Sequence, residues 1–196
     1  MMHFNKENLK LVNELPNNEK VSMQILELLN NNKTNIKLDK NIKNSYYVFL
    51  NDTIYLSDLE KVNESYYRIL LIAHECIHSV QNKLLQFINF ILSNIELIVF
   101  AISLFLIVTS NKNNIIINSY FVISILSVIS RLVLEIQATI KSIGLSQKYM
   151  KNKIEEEKLK DIINAYKSKI TLLFPLFVLS VILGKVLRLL IIYFLM

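Results

Sequence analysis

Apolar residues are scattered over the first part of this chain and then gather into three long runs. Up to about residue 83 they are interspersed with polar and charged positions, whereas about Phe90 to Thr109, Ile115 to Leu134 and Ile170 to Met196 are almost continuously apolar. Each run is near the roughly 20 residues a helix needs to cross a hydrocarbon core, so the pattern predicts three transmembrane helices. In the polar front part, Met23, Ile25, Leu26, Leu28 and Leu29 predict a short amphipathic helix over Ser22 to Asn30, stopped by Asn30-Asn31-Asn32. Tyr46 to Leu50 and Thr53 to Ser57 are β-rich runs flanking Asn51-Asp52, the pattern of a tight hairpin. Ser57, with Glu60 three residues later, reads as a capping box that opens a helix through Tyr66, Leu70, Ile72 and His74 to about Gln81. The fold class expected is a mainly α membrane protein with a small N-terminal α+β part that holds a β-hairpin. Within one membrane-anchored domain, residues 1–83 form that part, 84–140 a transmembrane hairpin, and 141–196 a basic helix, Lys148 to Lys169, and the last transmembrane helix.

Composition sharpens this picture. A hydrophobic content of 53% with only 2 Gly and 2 Pro departs from a soluble globular protein, and packing the three runs into 196 residues would leave too little polar surface to cover them. The opening residues continue into further charge, not an apolar core, so the first span is expected to act as the insertion signal. The net charge of +6 is spread along the chain without interleaved aromatics, which argues against nucleic acid as a partner. It speaks to topology instead. Nine Lys or Arg fall between Lys6 and Arg68 and eight between Lys141 and Lys169, whereas the loop at Ser110 to Asn114 carries only Lys112. By the positive-inside rule the two basic regions are expected to be cytoplasmic and the short loop outside, the pattern of a multi-pass membrane protein. The single cysteine, Cys76, excludes an intramolecular disulfide and reads as a small apolar filler.

The chemistry is concentrated in His74-Glu75-Cys76-Ile77-His78. On a helix, residues i and i+4 lie one above the other, so His74 and His78 can offer imidazole nitrogens to one Zn2+ while Glu75 stands beside it as a general base. A catalytic zinc site takes three protein ligands and leaves one position open, and the only other histidine is His3, so the third ligand is expected to be a carboxylate. One straight helix from His78 to Asn113 would rise roughly 50 Å, whereas Asn113 to Glu135 rises about 33 Å. A break around Asn82 to Asn89 would let the motif meet Glu135, the leading candidate; Glu96, Glu155, Glu156, Glu157 and His3 remain as others. Glu96, inside an apolar span, also reads as a helix-packing group, and the triplet at 155–157 as a solvated helix face. Lys185 and Arg188 are expected to snorkel to the outer interface.

Ala73-His74-Glu75-Cys76-Ile77-His78-Ser79-Val80-Gln81 and Leu132-Val133-Leu134-Glu135-Ile136-Gln137-Ala138-Thr139 together resemble the two motifs of the bacterial membrane neutral zinc metallopeptidases of the YugP type, Ala-His-Glu-x-Gly-His-Ala-x-Gln and Leu-Pro-x-Glu-x-x-Ala-Ser. Ile54-Tyr55-Leu56-Ser57 matches the family's Leu-Ser element before the first motif, and the resemblance covers about residues 20 to 195. It implies His74, His78 and Glu135 as zinc ligands and Glu75 as the catalytic acid and base of a peptidase acting on a peptide or protein substrate at the cytoplasmic face. Three departures accompany it. Ile77 replaces the family's glycine and is expected to narrow the space beside the metal, the proline before Glu135 is replaced, and the family's N-terminal anchor has no counterpart. Tyr66, Tyr67, Tyr149 and Arg131 are candidate oxyanion donors, and the hairpin could pair with an extended substrate. The competing reading is a non-catalytic membrane protein with a structural zinc site, an adaptor or immunity-type factor acting by contact.

Overall fold

The computed structural model describes residues 6–59, 64–109 and 114–195. They fall into two compact units, Met1–Gln81 with Ile136–Thr171, and Asn82–Glu135 with Leu172–Met196. His3, Glu60 and most of the loop at Ser110 to Asn114 lie outside the described residues.

The first unit opens with α1 (Lys6–Glu14) and α2 (Asn18–Leu28). The α2 helix begins four residues ahead of the expected start because the Asn17 side chain caps it, accepting from the Lys20 N–H at 3.0 Å. It ends in the predicted asparagine run, where Asn30 takes the left-handed conformation (φ 54°) and the Asn31 N–H donates back to the Leu26 carbonyl. A sheet follows, made of β1 (Asn35–Asp39), β2 (Tyr46–Val48) and β3 (Thr53–Ser57) in the order β1-β3-β2. The expected hairpin is the antiparallel β2/β3 pair, with Tyr47 opposite Ile54, but its connection is longer than a two-residue turn. A 3-10 turn at Phe49–Asn51 precedes Asp52, which sits in the left-handed region at φ 46°. Strand β1, parallel to β3 with Ile36 opposite Ile54, has no counterpart in the sequence-based expectation. Its only apolar side chains, Ile36 and Leu38, stand among Asn, Lys and Asp, and Leu38 is exposed, so the strand exists through its pairing with β3 rather than through an apolar pattern.

The motif helix, α3 (Arg68–Val80), starts well after the proposed capping box. Ser57 is the last residue of β3, where its hydroxyl donates to the Ile42 carbonyl at 2.7 Å, while Glu60, the other half of the proposed box, lies outside the described residues. Helix α3 is anchored by Arg68, which is buried and uses its guanidinium on oxygens at the end of α1 and the turn after it. Nε and Nη2 donate to the Val12 carbonyl, Nη2 also to that of Leu15, and Nη1 to the Pro16 carbonyl and Asn18 Oδ1, at 2.6–3.2 Å. A cation suits the C-terminal end of a helix, whose last carbonyls lack intrahelical partners. Burial pushes the Arg68 pKa below its ordinary value.

The remaining helices are α4 (Lys83–Val108), α5 (Asn114–Met150) and α6 (Glu156–Leu195). All three are long and apolar enough to cross a membrane. The chain breaks between α3 and α4 at Gln81–Asn82, at the near edge of the expected stretch. There Gln81 is extended and the Asn82 side chain caps α4 by accepting from the Leu85 N–H. Helices α5 and α6 each exceed the predicted span, because their polar ends continue the helical period and bury Ala138, Leu145, Tyr149, Ile162 and Tyr166 in the first unit's core with Val12, Ile25, Leu56 and Ile69. The basic helix expected over Lys148 to Lys169 is therefore not one element. Lys148 lies in the last turn of α5, and α6 starts at Glu156, with Glu156 and Glu157 exposed in its first turn, where negative charge complements the helix dipole.

In the second unit Lys185 and Arg188 do not snorkel outward. Glu96 is fully buried and takes the Lys185 ammonium on one oxygen and Arg188 Nη1 on the other at 3.1 Å. The apolar tail beyond Arg188 completes α6, with Ile192 buried against Ile107 and Tyr120.

Candidate metal centre

The amphipathic character of α3 positions the motif. Ile69, Leu70, Ile72, Ala73, Cys76 and Ile77 are buried in the core, leaving His74, Glu75 and His78 half-buried. Ile77 thus packs its side chain into the hydrophobic core. Cys76 is the filler expected: it is fully buried against Ser22, and burial pushes its thiol up to about 12.

The imidazoles of His74 and His78 approach with their Nε2 atoms 3.1 Å apart and their rings at 82°. Two nitrogens bound tetrahedrally to one ion at about 2.05 Å would lie about 3.3 Å apart, so one shared cation satisfies this pair with little movement. Gln81, buried where α3 ends, receives the other side of the His78 ring: its Oε1 lies 2.7 Å from His78 Nδ1. An amide oxygen only accepts, so this contact favours the tautomer with the proton on Nδ1, which leaves the Nε2 lone pair toward His74 for a metal. Glu135 supplies the third group. One ligand atom each of His74, His78 and Glu135 lie within 4.8 Å of one another, a group that could hold a metal ion. Glu135 is the last residue of the second unit's share of α5 and is peptide-bonded to Ile136 of the first unit inside an unbroken helix.

The other candidate carboxylates are occupied or solvated: Glu96 by its two cations, and Glu155, Glu156 and Glu157 by exposure. Of the candidate oxyanion donors, Tyr149 donates to Gln24 Oε1 at 3.0 Å and Arg131 lies over the Phe177 ring. Tyr66 and Tyr67 form an aromatic cluster with Tyr166, whose hydroxyl donates to the Tyr66 carbonyl. Strand β2 is a sheet edge, as β1 is. Gln81 was named in the sequence only as the end of a motif; its spacing three residues after His78 is the signal for its role. Replacing Gln81 by leucine should weaken metal binding by about 10–100-fold, read by competition with a chromophoric chelator, because the ring loses the acceptor that sets its tautomer.

Comparison with known proteins returns no match: no family model fits the chain, and no curated protein and no solved structure matches it.

Proposed function

We propose that this protein is a membrane-anchored zinc-dependent endopeptidase that hydrolyses peptide bonds near the cytoplasmic face of a bacterial membrane. The convergence of His74, His78 and Glu135 carries this reading. Two imidazoles and one carboxylate form the donor set of hydrolytic zinc sites, with one position left for water, and Glu75 stands next to the first ligand on the same helix. A bound zinc ion would supply Lewis acidity toward the scissile carbonyl and would acidify a water molecule. The chain's own part is proton transfer and positioning. The Glu75 carboxylate accepts the proton from the attacking water and passes it to the leaving amine nitrogen. Gln81 holds His78 in the tautomer that a metal ligand requires. Three helices of membrane-crossing length and the basic flanks counted above support the anchoring and the cytoplasmic side.

The test is metal content and cleavage in the same preparation. Protein purified in detergent with zinc should contain one ion per chain, cleave an unstructured polypeptide, lose that activity to a chelator and regain it on zinc addition. Stoichiometric zinc without cleavage would favour the structural zinc site, and cleavage indifferent to chelation would end the proposal.

A further inference from the structure

The second unit holds a charge imbalance that the hydrolytic reading does not use. Glu96 is 0% exposed and carries one negative charge, while its partners Lys185 and Arg188, 21% and 34% exposed, carry two positive ones. Among the described residues no second carboxylate pairs with either cation; Ser127 lies 3.5 Å from Lys185, and the Phe100 ring 5.8 Å from Arg188. The cluster is one positive charge in surplus. It is also deep. Glu96 lies 13 residues after Lys83 and 12 before Val108, or about 20 and 18 Å from the ends of α4, which in a hydrocarbon core of about 30 Å is beyond the reach of lipid phosphates. The outer face of α6 is shaped for close approach. Ser180 and Gly184 are exposed at i and i+4, Gly184 has open space where a Cβ would stand, and Arg188 follows one turn later. Small residues at this spacing let a second helix backbone come near enough for side chains to interact across the contact.

We infer that this face of α6 docks a transmembrane helix of another protein that carries a carboxylate at mid-bilayer depth, which neutralises the surplus charge of the Glu96–Lys185–Arg188 cluster. A second copy of this chain would bring the same surplus and repel, so the partner is a different protein. A carboxylate is favoured over a polar uncharged group because only a negative charge relieves an unmatched cation in lipid. The inference rests on α4, α5 and α6 being membrane spans but not on the hydrolytic reading.

The test uses the full chain in phosphatidylcholine vesicles with Leu-rich transmembrane peptides bearing a central Glu, Gln or Leu, association being read by energy transfer. The Glu peptide should bind the wild type about tenfold more tightly than the Leu peptide. Lys185→Met, which makes the cluster neutral, should abolish that preference, and Glu96→Gln, which doubles the surplus, should enlarge it. Equal binding of the Glu and Leu peptides to the wild type, or an undiminished preference in Lys185→Met, would overturn the inference. If Glu96→Gln does not fold, the comparison of wild type with Lys185→Met decides alone. Extraction of the protein from the vesicles by alkaline carbonate would instead remove the premise that these helices span the bilayer.

Discussion

Glu75→Gln is expected to keep zinc bound as in the wild type and to lower the rate of peptide cleavage by about 10²–10⁴-fold, the range that a positioned general base contributes. Glutamine retains the shape and hydrogen-bonding reach of the side chain but cannot take a proton from water. The imidazoles of His74 and His78 and the carboxylate of Glu135 are untouched by the change, so metal content separates a chemical defect from a structural one. Glu135→Gln is the companion variant. It removes the anionic ligand and should lose zinc and activity together. Undiminished cleavage by the Glu75→Gln protein would show that another group handles the proton, and the role given to Glu75 would fall.

Arg68→Met is expected to destabilise the first unit by about 3–5 kcal/mol. Methionine fills much of the space but donates nothing. The carbonyls of Val12, Leu15 and Pro16 and the side chain of Asn18 would lose the donor that holds them. Because Arg68 is the first residue of α3, the loss falls on the helix that carries His74 and His78. Chemical denaturation in detergent, followed by proteolysis of the region before residue 81, measures it. Arg68→Lys should recover part of the loss, since one ammonium keeps the charge but its three donors replace a five-donor fork. A stability unchanged in Arg68→Met would mean that water satisfies those carbonyls equally well.

What local pattern can carry was legible in the sequence. The three long apolar runs read directly as helices of membrane-crossing length, and the His-Glu-x-x-His spacing lies on one helix face because residues four apart share a face in any α-helix. The β2/β3 pairing and the helix stop at Asn30 were legible for the same reason: turn and strand preferences act between neighbours. Ser57 finishes a strand, and its hydroxyl finds a carbonyl 15 residues earlier, a contact that no local pattern announces. The extension of α5 and α6 beyond the apolar runs was not legible because apolar density ignores amphipathic turns that bury only one side against the first unit's core.

By itself the sequence determined the residue types and their helical spacing; helix-length arithmetic made Glu135 the leading candidate for a third ligand, with several alternatives left open. Only the tertiary structure decided that a Glu135 oxygen comes within 4.8 Å of imidazole nitrogens on residues 74 and 78, that Gln81 orients His78, that Glu96 is taken by Lys185 and Arg188, and that Arg68 serves the end of α1. Lysine and arginine in an apolar run read as outward-reaching when judged by their own helix, and only a partner on another helix turns them inward. The physical reason is range. Propensity and periodicity act over a few residues and are written in the local pattern, whereas ion pairs and ligand sets join residues dozens of positions apart, where the packing of whole helices selects one partner among several of equal chemistry.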